Sequence, residues 1–420
     1  MRKNKYYYPL NLLLIYSLTT IFFFLFGPYK YKIENGLYLT LFLVLVHVSL
    51  IKGYLRGQKS NGRKFKVKFS SIKATKYVIL IVFIYKIVSL IGTGGGDLFR
   101  VSLAINDPAT AYFESSTKGN ISVFNYIDML FAPLVTIAVT SGVFFWNRIG
   151  FVSKLLLTSY ILIILLSSIG ASVRSSIIAI ILNISCGLIL SHITGNFKVT
   201  YRIKLIASLS CISFVLLFFM YTKNLTENRN TDLFINPVTL ESPDSENFLY
   251  KTLPNDYSAT ITGISFYLGH SYYRLSQAIS LPFHGTGFGF SNSYFLIENV
   301  ENITGWGGLK DISYGYRLDK ELTDKFGVFW STTYTWLASD FTFPGVIIFL
   351  FFIAYWMAIA MKDTMLDPNI FTIAVFANLF SFIYNLPAVN PLQDGAGIVN
   401  FFSIFLIWIF FRKSYGEKED

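Results

Sequence analysis

Apolar and polar positions alternate along this chain on the scale of whole helices, not of single residues. Ten stretches of roughly 15–30 mostly apolar residues are separated by polar turns, near 10–27, 37–53, 77–92, 126–146, 155–169, 175–194, 205–222, 333–361, 370–387 and 397–411. A helix needs about 20 apolar residues to cross a bilayer core of about 30 Å, so each stretch reads as a membrane span. The stretch at 333–361 is too long for one straight crossing and predicts a tilt or a break near Pro344. Besides the basic stretch 53–76, two polar intervals are longer than turns. One covers 93–125, and the other, about 223–332, separates the seventh and eighth spans.

The long interval has three parts. "TKNLTENRNTDLFINPVTLESPDSENFLYKTLPNDYS" is polar, with Pro and Asn, and predicts irregular structure. "ATITGISFYLGHSYYRLSQAISL" predicts one or two interfacial helices. The remainder, from "PFHGTGFGFSNSY" to "KFGVFW", is rich in Gly and aromatics and has no strong period.

Composition agrees with the spans. Hydrophobic residues make up 53% of the 420 and charged residues 14%, more apolar surface than a soluble domain of this length covers. Cys186 and Cys211 both fall in apolar runs, and there is no CxxC pair, which argues against a disulfide scaffold. The N-terminal "MRKNKYYYPLNLLLIYSLTTIFFFLFG" lacks a small-residue cleavage site and reads as a retained first span.

The net charge of +11 matters through its placement. With the N-terminus inside, inward segments carry 21 Lys or Arg, nine of them between Lys52 and Lys76, against 5 in the short outward loops. Both termini are then expected in the cytoplasm, with the 223–332 loop and Arg174 outside. The basic stretch 53–76 reads as a topology anchor on anionic lipid, with binding of a cytosolic partner as the alternative. The expected organisation is residues 1–222 with spans 1–7 and that basic loop, 223–332 as the large outward loop, and 333–420 with spans 8–10. No transporter-type internal repeat is visible.

Several motifs resemble chemistry without supplying it. "GTGGGD" (92–97) and "HGTGFGF" (284–290) lack the Gly-Lys-Ser/Thr of a phosphate loop and no βαβ context surrounds them, so both read as turns. There is no DxD pair, no HExxH and no GxSxG, and no metal or cofactor is expected. What remains is a set of outward cations and acids. Arg174, in "SSIGASVRSS", opposes both the positive-inside bias and the dipole of the span that it begins. Two readings stand for it: an anion site shared with the amides of Ser175 and Ser176, or an ion pair with a carboxylate such as Asp128. Asp340, in "WLASDFTFPG", is either a functional acid or a helix N-cap after a break. His270 and Arg274, four residues apart, share one helix face. His47 reads as a satisfied interior polar group, and Lys86 as a residue snorkelling to lipid. The aromatics of the outward loop suit either an interfacial belt or a saccharide groove.

This pattern resembles the bacterial oligosaccharide repeat-unit polymerases, the Wzy-type O-antigen polymerases. The resemblance rests on the span number, "SSIGASVRSS" leading into a helix, the late outward loop with "GISFYLGHSYYRL" and "GTGFGFSNSY", and "YTWLASDFTFPGVIIF" entering the next span. It implies an all-α polytopic membrane protein of about ten transmembrane helices with a large periplasmic loop, a C-type glycosyltransferase-like fold. It also implies a multi-pass protein of the bacterial inner membrane that joins undecaprenyl-pyrophosphate-linked oligosaccharides at the periplasmic face, by metal-independent inverting transfer. Membrane lipid, a chain-length regulator and a flippase are the implied partners, and nucleic acid is not. On this reading Arg174, Arg274, Arg317 and Arg100 are candidates for binding the pyrophosphate and saccharide. Asp340, His270 and Asp97 are candidate general bases. An O-antigen ligase, which moves polymer to the lipid A core, and a lipid-linked oligosaccharide flippase are the alternatives.

Overall fold

The structure is a computed structural model that describes residues 3–67, 69–107, 110, 111, 114, 123–173, 175–196, 236, 239, 241–252, 255–322 and 330–413. Among these it is all-helical, with no strand. The principal helices are α1 (Tyr8–Phe26), α2 (Gly36–Lys59), α3 (Ser71–Gly92), α4 (Val123–Phe144), α5 (Phe151–Gly170), α6 (Ser175–Ile193), α7 (Asn255–Ser280), α8 (Tyr294–Thr304), α9 (Tyr314–Leu322), α10 (Thr333–Leu366), α11 (Ile370–Tyr384) and α12 (Gly395–Phe411). Seven of them, α1 to α6 and α10, are long and apolar enough to cross a membrane; α11 and α12 are apolar but shorter. The chain is a polytopic membrane protein. The expected span at 205–222 lies outside the described residues. Large side chains such as Leu37, Ile91 and Phe151 are at least 75% exposed on these helices, as a lipid-facing surface requires.

The break expected near Pro344 is present. Thr342 leaves helical geometry (φ 61°, ψ 163°) in the middle of α10. Proline has no N–H to give to the carbonyl four residues back, and its ring crowds that carbonyl. Counting back four from Pro344 gives Asp340, so the break falls beside the acid that the sequence singled out.

Two compact units interleave along the chain. The first comprises Met1–Lys59, Asn230–Trp356 and Phe382–Ile398. Within it α1 lies against α7, where Thr20 Oγ1 and Tyr272 OH are 2.9 Å apart. Tyr16 stacks on Tyr384 with ring centres at 4.1 Å. Its outer part has a small core of Ile297, Leu309, Tyr316 and Trp336. His47 is bonded to Ser17 Oγ and to the Leu43 carbonyl, a satisfied interior group as expected.

The second unit comprises Ser60–Arg229, Met357–Ser381 and Val399–Asp420. Here α4 packs between α3 and α6, and α5 packs against the Gly96–Asn106 helical turns. Gly170, at the end of α5, lets that packing close. A Cβ there would meet the Asp97 carbonyl oxygen at 1.8 Å. "GTGGGD" is a turn, with Gly94, Gly95 and Gly96 all at positive φ.

One buried acid joins three distant segments of this unit. Asp363 has no solvent exposure. It accepts from Arg412 Nε at 2.6 Å and Nη2 at 3.1 Å, from Trp408 Nε1 at 3.0 Å and from the Arg63 amide at 2.7 Å. Removing one partner of such a pair leaves an uncompensated charge in a dry site. We predict that Asp363→Ala lowers stability by about 3–5 kcal/mol, read as a fall in the denaturation midpoint of the detergent-purified protein. An unchanged midpoint would show that the junction contributes nothing.

Candidate active site

The first unit gathers four of the seven residues singled out from sequence: Asp340, Arg317, Arg274 and His270. Asp97 and Arg100 belong to the second unit, and Arg174 lies outside the described residues.

Asp340 sits two residues before the break in α10 and is 8% exposed. Its Oδ2 accepts from Asn292 Nδ2 at 2.9 Å. The amides of Gly287, Gly289 and Ser291 ring the carboxylate. Its Oδ1 is buried and closes no hydrogen bond among the described residues. The ring is formed by the "HGTGFGFSN" loop, whose compactness rests on Gly287: a Cβ there would strike Ser291 Oγ at 1.8 Å. The loop is pinned from behind. Asn390 Nδ2 donates to the Asn292 carbonyl at 2.6 Å, and Ser293 Oγ donates to the Gln393 carbonyl at 3.2 Å. Asp340 therefore holds a loop instead of capping the helix that follows.

Arg317, on α9, is 8% exposed. Its Nη1 donates to the Pro282 carbonyl at 2.7 Å, and its guanidinium lies 5.5 Å from the centre of the Tyr314 ring. No carboxylate lies within ion-pairing distance of it among the described residues. Pro282 begins the loop whose Asn292 bonds Asp340, and the Tyr314 amide donates to Ser339 Oγ at 3.0 Å. Arg317 and Asp340 are thus tied to the same two pieces of chain. A buried guanidinium without a counter-ion is costly unless an anion visits it.

Arg274 has a different role. It is 1% exposed and forms an ion pair with Asp319, which is equally buried. Asp319 also accepts from Tyr294 OH at 2.5 Å. The pair fastens α7 to α8 and α9, and no solvent reaches the guanidinium. Four residues earlier on α7, His270 is fully buried between Phe266, stacked at 4.5 Å, and Trp330, edge-on at 4.2 Å. Its Nδ1 faces the Phe266 carbonyl at 3.0 Å, so Nδ1 carries the proton and Nε2 keeps its lone pair. Burial, aided by the nearby Arg274 charge, pushes the imidazole down to about 3. It stays neutral at physiological pH and is a poor proton acceptor.

In the second unit Arg100 is held by Asp97 at 3.1 Å and Glu114 at 3.8 Å, so both its charge and that of Asp97 are already engaged. Asp128 accepts from Tyr85 OH at 2.6 Å.

Sequence reasoning missed Asn292, Asn390 and the amide ring. The available signals were "SNS" after a glycine-rich turn and "VNPLQD" after an apolar helix, both polar runs bordered by apolar chain. At the loop mouth, Phe288 (78% exposed, φ 53°) and Phe290 stand 6.4 and 6.3 Å from the Trp306 ring.

The buried histidine predicts acid sensitivity. Above pH 6.5 the folded and unfolded chains both hold His270 neutral. As pH falls from 6.5 toward 3, the unfolded chain takes a proton that the folded chain refuses. Folding then weakens by about 1.4 kcal/mol per pH unit from this group. His270→Gln is expected to flatten the drop in thermal midpoint between pH 7.5 and 5. An identical drop in the variant would contradict this.

No family model, curated protein or solved structure matches the chain.

Proposed function

We propose that the chain is an inner-membrane glycosyltransferase of the Wzy-type O-antigen polymerase kind, with ten spans, cytoplasmic termini and its site on the periplasmic face. It polymerises undecaprenyl-pyrophosphate-linked repeat units by metal-independent inverting transfer. The observation that carries the reading is one loop, residues 282–293, shared by a buried carboxylate and a buried guanidinium that has no counter-ion among the described residues.

In this reading the acceptor hydroxyl gives its proton to the Asp340 carboxylate as its oxygen attacks the anomeric carbon of the growing chain. The bond from that carbon to the lipid pyrophosphate breaks on the opposite side. Arg317 neutralises the departing diphosphate. A charge contact in a dry site is worth far more than the same contact in water. His270 and Arg274 act as positioning residues, and Phe288, Phe290 and Trp306 offer faces for sugar rings. Asp97 and Arg100 have no role in the step.

General-base removal costs about 10²–10⁴-fold, and loss of one charge stabiliser about 10²–10³-fold. Asp340→Asn and Arg317→Ala are therefore expected to insert normally and to lose polymer by at least about 100-fold. The assay uses the purified enzyme, lipid-linked repeat units and a chelator. Arg317→Lys should recover only part of the loss, because a point charge does not fork onto a diphosphate. Full polymer from Asp340→Asn removes the base. In cells, a deletion strain with a single repeat on each lipid A core supports a polymerase. Bare cores would identify a ligase, and translocation without polymer in vesicles would identify a flippase.

A further inference from the structure

An apolar cleft of about 410 Å3 opens in the second unit, where the basic stretch before α3 meets α11 and α12. Phe65, Val67 and Phe69 line it from the chain before α3, with Ala74 of α3, Phe371 of α11 and Phe411 of α12. All its lining residues are apolar, and it is open along one side.

The walls are fixed. Phe65 stacks on Phe371 with ring centres at 5.6 Å and planes at 17°. The Phe65 amide donates to Asp367 Oδ2 at 3.0 Å, and the Lys66 amide donates to the Phe411 carbonyl at 2.7 Å. The Asp363 junction ties two of these segments, the chain before α3 and α12, to the end of α10.

The surroundings select the occupant. From Lys59 to Lys76 the chain carries seven Lys or Arg and no acid. Lys73 adjoins Ala74 and is exposed, and Lys413 follows Phe411 by two. Arg412 is engaged with Asp363 and adds no net charge here, and Asp367 beside Phe65 offsets one further cation, which leaves the surroundings net positive. A ligand for this place is apolar along its length and anionic at one end. An acyl chain avoids water in the cleft, and a phosphate above it meets cations, each worth about fivefold in affinity near a membrane surface.

We propose that the cleft seats one acyl chain of an anionic glycerophospholipid, with its phosphate on the basic rim at Lys73 and Lys413. The lipid is then a structural ligand that joins the chain before α3 to α11 and α12. This site is independent of the glycosyl-transfer reading, and its test needs no activity.

Delipidated full-length protein in neutral detergent is titrated with dioleoyl phosphatidylglycerol or dioleoyl phosphatidylcholine. Binding is followed by native mass spectrometry and the thermal midpoint. One phosphatidylglycerol is expected to bind at least about tenfold more tightly than phosphatidylcholine and to raise the midpoint. K73Q/K413Q should lose about tenfold or more for phosphatidylglycerol only. The charge-matched control K30Q/K32Q, at two exposed lysines paired with Asp244 and Glu241, should not change. Ala74→Phe, which fills the cleft, should weaken both lipids; where it fails to fold, Val67→Asp at the exposed wall reads the same loss. Equal affinity for the two lipids overturns the proposal. So does wild-type binding by a folded cleft variant, or competition by glycerol phosphate as strong as by whole lipid, which would mean headgroup adsorption alone.

Discussion

A helix in hydrocarbon is tolerated because each of its peptide groups is bonded within its own ladder. Helix α10 departs from that rule beside Asp340, where Pro344 withholds an N–H and Thr342 takes a left-handed φ that a β-branched residue rarely adopts. A buried acid next to broken backbone has to find partners in the surrounding chain. The loop before α8 supplies them through Asn292 and a ring of amides, and Asn390 braces that loop from the turn before α12. The broken helix, the loop and the turn form one polar knot, and the candidate chemistry has its place there.

The same unit separates two buried arginines by what surrounds them. Arg274 is enclosed with Asp319, a pair whose mutual attraction mainly offsets its own desolvation. Such a pair fixes helices in register but has little charge to offer an incoming anion. Arg317 is nearly as buried and rests on a carbonyl and an aromatic face, contacts that leave its positive charge uncancelled. Electrostatics alone therefore ranks Arg317 above Arg274, and Arg100, held between two carboxylates, below Arg317.

Seven of the ten expected spans were legible in the sequence because a bilayer imposes one length and one composition on every crossing. The break in α10 was legible too, since proline acts through local geometry: the expectation named Pro344 and the distortion lies two residues earlier. Asp340 was found because an acid in an apolar run has few innocent explanations. The ordering of the arginines was hidden, because it depends on Asp319, which is 45 residues from Arg274 in the chain and adjacent in space. The interleaving of the two compact units was hidden for the same reason, as was Asp363, which looks in sequence like any acid at a helix end. Arg174 and the span at 205–222 lie among residues that are not described.

The Asp363 junction has a consequence for how this protein is made. It joins the backbone at Arg63 to the side chain of Arg412, nearly 350 residues later in the chain. At about 5–20 residues per second, a ribosome needs roughly 20–70 s to go from one to the other. For that time the early helices reside in the membrane with the junction open and its acid either unmade or unmatched. Completion of the second unit is therefore a late, post-insertion event, and a chain truncated before α12 would reach the bilayer without its closing clasp.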